Sequence, residues 1–330
     1  MLRALVELVR APAGLTVPGD VLAGAAAVGD LRVGRLVGLS ASSICIYWAG
    51  MALNDWADRE LDAVERPERP IPSGRVPAQT AFNLAAGLTV GGLMLSALSG
   101  GKSTLATSTA LAATAWTYDV VAKNTIAGPA VMASARALDV LVGAGAERRR
   151  ALAPALAVGA HILGVTTLSR GEVHGGTPTP ARASLATTTA LALAAATPRA
   201  GAMGWGVPAS AAARVAIAHA PTRAIGCALS SPTHTPTIGA LASRPLNSRL
   251  AWATAIGLAG WFARGVAPAQ LAAAREPDAS RVRSAVGAGI HGLVPLQAAW
   301  VARAGAPRLG AGLALAFPLV KALAKRVSST

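Results

Sequence analysis

The sequence is poor in charged, aromatic and cysteine residues. Of its 330 residues, 14% are charged and 4% are aromatic, whereas 53% are hydrophobic. A soluble domain usually carries about 25% charged residues, so this chain lacks the ionic surface of a soluble globule. The two cysteines, Cys45 and Cys227, lie far apart and support neither a disulfide framework nor a cysteine metal site. These shortages favour a membrane protein whose small side chains let helices pack closely in lipid.

The charge that is present is mostly positive, with 30 Lys and Arg residues against 15 Asp and Glu residues. No basic stretch is interleaved with aromatic residues on which bases could stack, so we expect no nucleic-acid partner. In membrane proteins such an excess commonly anchors the cytoplasmic ends of helices near anionic lipid. Glu7 interrupts the first apolar stretch and no clear small-residue cleavage site follows, so a secretory signal is not expected.

Apolar runs long enough to cross about 30 Å of hydrocarbon recur along the chain. The spans that we predict lie near residues 12–29, 35–53, 78–99, 103–121, 126–145, 151–168, 182–197, 250–266 and 286–323, the last containing one or two. The sequence therefore predicts an all-α, polytopic transmembrane bundle of eight or nine spans, with residues 1–330 forming a single domain. Segment 198–249 is rich in Pro, Ser, Thr and Arg, shows no helical period and is not assigned.

The connection 54–77 carries six of the fifteen acids of the chain. If the second span continues as a helix, one stripe of about 100° contains Asn54, Asp55, Asp58 and Asp62. Neighbouring carboxylates repel one another unless a cation neutralises them, and ligands that are all oxygen favour Mg²⁺. Because magnesium commonly combines one or two carboxylates with substrate phosphates, the stripe could hold a diphosphate through the metal. The alternative interpretation is a solvated charged loop with incidental spacing.

Arginines follow this stripe in the sequence RPERPIPSGR. The prolines predict an ordered connector that fixes the positions of Arg66, Arg69 and Arg75. Guanidinium groups suit phosphate oxygens, but they could equally anchor the loop at the cytoplasmic surface. Counting arginines and alternating the spans places residues 54–77, Lys123 and 169–176 on the cytoplasmic face, of the plasma membrane if the source is prokaryotic. The same alternation places residues 148–150, all arginines, outside, against the positive-inside rule.

The pattern NDxxDxxxD followed by RPxRPIPSGR, over residues 54–75, resembles the first aspartate motif of the UbiA superfamily of intramembrane prenyltransferases. The resemblance implies a nine-helix bundle in which the prenyl chain lies in a lateral, lipid-open cavity. It also implies Mg²⁺-dependent transfer of a prenyl group from an isoprenyl diphosphate to an aromatic or lipophilic acceptor. Tyr118 with Lys123 resembles the tyrosine and basic residue of the family at the end of its fourth span, and Arg136 resembles its arginine in the fifth.

The sequence departs from the family pattern at the second aspartate motif. Where the family has DxxxD, residues 167–174 read TLSRGEVH and contain a single carboxylate, Glu172. The segment SRGEVHGG resembles a divergent, EboC-type branch. One interpretation is that Glu172 completes the metal site while Arg170 contacts the diphosphate directly. The other is that catalysis has been lost.

These observations define a set of expected site residues. The predicted catalytic residues are Asp55, Asp58, Asp62, Tyr118 and Glu172. Diphosphate binding is expected of Asn54, Arg66, Arg69, Arg75, Lys123, Arg136 and Arg170. The expected Mg²⁺ ligands are Asn54, Asp55, Asp58, Asp62 and Glu172. Tyr118 or Asp119 could orient the acceptor or take its proton.

Three other functions compete with prenyl transfer. A CDP-alcohol phosphotransferase would need DG and AR after the first acids, where this chain has Arg59 and Glu60. A soluble terpene synthase would share the aspartate chemistry, but the repeated apolar spans argue against it. A non-catalytic membrane protein that acts as a lipid transporter or a scaffold stays open because of the altered second motif.

Overall fold

Helices make up the regular secondary structure of the described residues, which in this computed structural model are 2–198 and 244–327. The first part contains α1 (Leu2–Leu8), α2 (Pro18–Val28), α3 (Val33–Ala57), α4 (Arg59–Glu65), α5 (Ala78–Thr117), α6 (Gly128–Ala144), α7 (Leu152–Ser169) and α8 (Pro178–Ala196). The second part contains α9 (Arg244–Arg275), α10 (Ala279–Arg303) and α11 (Pro307–Val327). The predicted all-α bundle is confirmed. Residues 199–243 of the unassigned segment lie outside the described part, whereas residues 244–249 begin α9.

Short irregular turns modify several predicted spans. Gly101, with φ 73° and ψ −171°, interrupts α5 and divides it into two arms that correspond to the predicted spans 78–99 and 103–121. Positive φ is readily adopted only by glycine. A π-helical turn at Tyr118–Ala122 extends the second arm, and a 3₁₀ turn at Ala11–Thr16 precedes α2. The predicted span 12–29 is therefore α-helical only from Pro18 onward.

Several helices have the length and composition of membrane spans. Within the described residues, the five candidates are Val33–Ala57, Ala78–Ala122, Arg148–Ser169, Ser248–Arg275 and Ala279–Arg303. The second candidate contains both arms of α5. The total of eight or nine spans stays a prediction.

Hydrogen bonds between loops define two ends of the bundle. At the end that we call the site end, Lys123 contacts Asp58 and Arg170 donates to the carbonyl of Thr125. Arg283 there donates to the Glu172 carbonyl oxygen at 2.7 Å. The structure thus confirms that residues 54–77, Lys123 and 169–176 share one end. At the opposite end, the contacts are Arg35 with Gly143, Arg148 with Ser103 and Trp252 with Ala196.

Small residues let α2 lie directly against α6. A Cβ atom on Gly24 would meet the Val140 carbonyl oxygen, and one on Gly143 would meet the carbonyl oxygen of Val21. Because these glycines have no side chain, the two backbones can approach closely. The approach places buried Asp20 of α2 beside Arg136 of α6, with 2.7 Å between the Asp20 Oδ2 and Arg136 Nη2 atoms.

Candidate functional site

The aspartate segment is divided by a bend at Asp58. Helix α3 ends at Ala57, and Asp58, with φ −89° and ψ 1°, separates it from α4. Two backbone bonds still span the bend, from Asp58 N to Asn54 O at 3.0 Å and from Asp62 N to Asp58 O at 2.8 Å. The predicted continuation of the second span as a helix is thus found on both sides of Asp58, but with a bend that divides the predicted stripe. The four side chains form two groups with different partners.

The first group pairs two buried carboxylates with arginines. Arg69 Nη1 lies 3.3 Å from Asp55 Oδ1 and 2.5 Å from Asp62 Oδ2. Arg10 Nη2 lies 3.2 Å from the same Asp55 oxygen. Arg66 is more distant, 3.9 Å from Asp62 Oδ1, and its side chain is 54% exposed. Arg69 is thus the arginine of the RPERP motif that neutralises both carboxylates.

Sequence reasoning did not identify Arg10 as a site residue. It has φ 47°, unusual for a residue other than glycine, just before the 3₁₀ turn at Ala11–Thr16. Its position directly before the first predicted span was the available signal, since an arginine there can reach polar groups at a helix end. Its partner is supplied by α3, 45 residues later, and local spacing does not specify such a pairing.

The second group joins the end of α3 to the π-helical turn. Lys123 Nζ lies 2.6 Å from Asp58 Oδ1, and Asn54 Nδ2 donates to Asp119 Oδ1 at 3.3 Å. The turn is closed by the bond from Lys123 N to Tyr118 O at 2.9 Å. π-helical turns are rare, and they occur frequently at functional sites. The structure therefore brings Tyr118, Asp119 and Lys123 to the predicted aspartate segment.

Arg75 is directed to a different partner. Its guanidinium donates to Glu7 at 2.6 and 3.0 Å and to the Glu68 carbonyl oxygen at 2.6 Å. The hydrogen bonds from Arg75 lower the pKa of the Glu7 carboxyl. The structure therefore connects Arg75 with α1 and does not bring it into contact with the aspartates.

Arg170 and Glu172 lie at the site end but beside other elements. Arg170 donates to the carbonyl of Thr125, in the turn that follows Lys123, so it lies next to the second group. Glu172 lies beside Arg283 of α10. Burial raises the pKa of the Glu172 carboxyl, and the positive charge of Arg283 opposes this effect. In the described part of the chain, neither residue forms an ion pair with the aspartate segment.

A cavity extends from this site into the bundle. Its volume is about 80 Å³ when measured as the space open to the centre of a water molecule, and about 560 Å³ when all space between its walls, including open solvent, is counted. Tyr118 and Asp119 line it near the site end, and Ser43, Arg136 and Asp139 line it deeper in the bundle. Between these polar groups the lining is mostly apolar, formed by residues such as Ile46, Leu111, Ala115 and Met132, and it also includes Tyr47. Arg136 therefore belongs to this deeper region, where it pairs with Asp20, and no ion pair joins it to Asp55, Asp58 or Asp62 among the described residues.

The donor set at the site end fits magnesium bound together with phosphate. The side-chain donors of Asn54, Asp55, Asp58 and Asp62 include the hard oxygen atoms that Mg²⁺ prefers. Within residues 2–198 and 244–327, no three His, Cys, Asp or Glu side chains gather closely enough to hold a metal by themselves. A magnesium ion at this end would therefore be held by at most two of these carboxylates, and phosphate and water would complete its shell.

Two solved structures share this fold. One, described as digeranylgeranylglyceryl phosphate synthase in membranes, superposes with a TM-score of 0.58 at 17% identity, covering 93% of this chain and 99% of the other. A UbiA homologue from Aeropyrum pernix superposes with a TM-score of 0.56 at 16% identity, covering 87% and 96%. At these identities the likeness shows the fold alone.

The family follows from a sequence match. The profile described as the UbiA prenyltransferase family matches residues 15–225, more than half of the chain. The chain belongs to the UbiA prenyltransferase family. This membership, together with the long apolar helices, makes it an integral membrane protein.

Shorter stretches of this UbiA-family chain resemble curated relatives. It is 47% identical over 94 residues to digeranylgeranylglyceryl phosphate synthase of Ignicoccus hospitalis, covering 28% of this chain and 31% of that protein. It is 34% identical over 85 residues to the bacteriochlorophyll synthase 33 kDa chain of Rhodobacter capsulatus, covering 26% and 28%. Each match spans less than a third of the relative.

Proposed function

We propose that this chain transfers a prenyl group from an isoprenyl diphosphate to a lipophilic or aromatic acceptor within the membrane. The observation that carries the proposal is the meeting of the aspartate segment with the π-helical turn, through Asp58–Lys123 and Asn54–Asp119, at the polar end of an apolar cavity. Family membership and the synthases among its relatives support the same chemistry.

The residues at the site end have complementary tasks in this proposal. Magnesium, held by one or two of the carboxylates of Asp55, Asp58 and Asp62, would supply positive charge that stabilises the departing diphosphate. Lys123 and Arg69 lie within hydrogen-bond distance of these aspartates, so their charge is available to phosphate oxygens at the same place. Tyr118 and Asp119 line the cavity beside this charge and are placed to orient the acceptor or to take its proton.

The apolar middle of the cavity has a separate task. Leaving diphosphate generates positive charge on the prenyl group, and water reaching that carbon would divert the reaction to hydrolysis. The side chains of Ile46, Leu111 and Met132 exclude water from this space.

We further propose that the site end faces the cytoplasm, because the arginine-rich connection 54–77 lies there.

The direct test is transfer by the purified full chain in lipid nanodiscs. Radiolabelled geranylgeranyl diphosphate with magnesium and a set of phenolic and alcohol acceptors should yield a labelled lipophilic product and free diphosphate. Chelation of the magnesium should stop product formation, because without the metal the carboxylates repel the negatively charged diphosphate. Binding of the diphosphate without any transfer or hydrolysis across the acceptor set would favour the non-catalytic alternative.

A second expectation concerns Arg170 and Glu172. Arg170→Ala should weaken binding of the prenyl diphosphate about tenfold, because one charge-assisted contact near Lys123 is lost. If Glu172 is a metal ligand, Glu172→Gln should raise the magnesium concentration needed for half-maximal transfer. Arg281→Ala is the matched control, since Arg281 pairs with Glu276 at the surface. Diphosphate titrations that are identical for Arg170→Ala and Arg281→Ala would remove Arg170 from the site.

A further inference from the structure

The deep end of the cavity is polar, although the part of the cavity between this end and the mouth is apolar. Its floor, which we define as Ser43, Arg136 and Asp139, lies inside the bundle between α3 and α6. Gly50, which lies beside Asp119 at the mouth of the cavity, follows Ser43 by seven positions along α3. At 1.5 Å per helical residue the floor is about 10 Å from the mouth. The cavity therefore has a hydrogen-bonding group at each end.

The floor has unused hydrogen-bonding capacity. Arg136 is 9% exposed, and its Nε atom has no acceptor among the described residues. Its Nη2 atom is paired with Asp20, which also accepts from Gln297 Nε2 at 2.6 Å. Asp139 accepts a hydrogen bond from the Ser43 hydroxyl, and its carboxyl group also lies within hydrogen-bond distance of the Asp20 carboxyl. A buried donor without an acceptor is costly, so this floor favours an occupant that can bond to it.

The chemical class of the occupant follows from the hydrogen-bond donors and acceptors of the floor. The floor contains a carboxyl group, which accepts, and a guanidinium nitrogen, which only donates. A hydroxyl group satisfies both at once, because its hydrogen can be donated to Asp139 while its oxygen accepts from Arg136. A prenyl chain satisfies neither and would bury both groups under hydrocarbon. The polar floor thus selects against a prenyl chain at the deep end of the cavity.

We propose that this cavity binds the acceptor and that its floor holds a hydroxyl group at the end of the acceptor remote from prenyl transfer. The inference rests on the proposed function for the identity of the occupant as acceptor. Ser43, Arg136 and Asp139 would then determine specificity, because they touch the acceptor without touching its reacting atom. An acceptor with a second hydroxyl group is preferred over one that ends in a hydrocarbon.

Binding of rigid probes that differ in the number of terminal hydroxyl groups tests the proposal without prenyl transfer. The probes are 4,4′-biphenol, which has a hydroxyl group at each end, 4-hydroxybiphenyl and biphenyl, each titrated into the full chain in nanodiscs by calorimetry. Biphenol should bind about tenfold more tightly than 4-hydroxybiphenyl, the factor expected for one additional hydrogen bond to a charged group. Equal affinities of the two phenols would overturn the proposal.

Two variants test whether this cavity and its floor cause the tighter binding of biphenol. Asp139→Asn keeps the size of the side chain but replaces one acceptor oxygen with an NH₂ group, which only donates, so the biphenol advantage should fall. Ala115→Phe fills the apolar middle and should abolish binding of biphenol above the level seen in empty nanodiscs. If Asp139→Asn does not fold, the binding of biphenol to Ala115→Phe tests the proposal. Biphenol that still binds Ala115→Phe, or an advantage unchanged in Asp139→Asn, contradicts the assignment. Failure of prenyl transfer with intact two-ended binding would overturn the proposed function instead.

Discussion

Asp58→Asn is expected to lower the rate of prenyl transfer by about a hundredfold or more. Asp58 lies at the bend between α3 and α4, and its carboxylate is the partner of Lys123 at 2.6 Å. Asparagine keeps the size of the side chain but has no charge with which to hold magnesium or to position the lysine. Loss of one preorganised electrostatic contact of this kind typically costs about a hundredfold to a thousandfold in rate. Initial rates with radiolabelled prenyl diphosphate measure the effect.

The control for this variant lies two residues away. Glu60→Gln also removes one negative charge from the segment, but Glu60 is 86% exposed and pairs only with Arg59 among the described residues. It should transfer at the rate of the unsubstituted protein. Both variants should insert into membranes and elute as the parent does. If the two showed the same rate and the same magnesium requirement, Asp58 would have no part in the reaction.

Arg69→Met is expected to lower the free energy of unfolding by about 3–5 kcal/mol in the absence of metal and diphosphate. Arg69 neutralises Asp55 and Asp62, whose side chains are 6% and 3% exposed. Removing one partner of a buried ion pair leaves a charge without compensation, which is the costly outcome. Arg10 still serves Asp55, but Asp62 retains only the distant Arg66. Unfolding by dodecyl sulphate in mixed micelles, followed by circular dichroism, measures the loss.

Arg66→Met provides the matched comparison within the same RPERP motif. Because the Arg66 side chain is 54% exposed and lies 3.9 Å from Asp62, its loss should cost less than about 1 kcal/mol. Methionine has no charge but retains much of the length of either arginine. Equal losses for the two variants would show that the pairing of Arg69 does not stabilise the segment.

Local sequence was sufficient for the aspartate segment but not for its partners. The acids and arginines of 54–75 occur in one connection, so their proximity followed from the sequence. The bend at Asp58 did not, because helical periodicity contains no signal for a break at an aspartate. Arg136 was expected at the diphosphate, yet Asp20 is its partner because Gly24 and Gly143 let α2 approach α6.

The position of Lys123 shows a second limit of prediction from the sequence. In a regular α-helix, residues five apart point about 140° from each other, so Tyr118 and Lys123 would not share a face. Their resemblance to the family pair suggested a common site, but the geometry that unites them is the π-helical turn. Such turns depend on contacts made by the whole bundle, here Asp58 with Lys123 and Asn54 with Asp119.

The same turn affects how related sequences are aligned and how this chain tolerates changes of length. A π-helical turn accommodates one more residue than a regular α turn between the same two anchor points. A relative whose helix ends regularly therefore matches this chain only if a gap of one residue is opened within Tyr118–Ala122, and a fixed-spacing pattern overlooks the pair. Deleting one residue from the turn should leave the packing of α6 unchanged. It should separate Asp119 from Asn54 or Lys123 from Asp58, the two contacts that the turn makes with the end of α3.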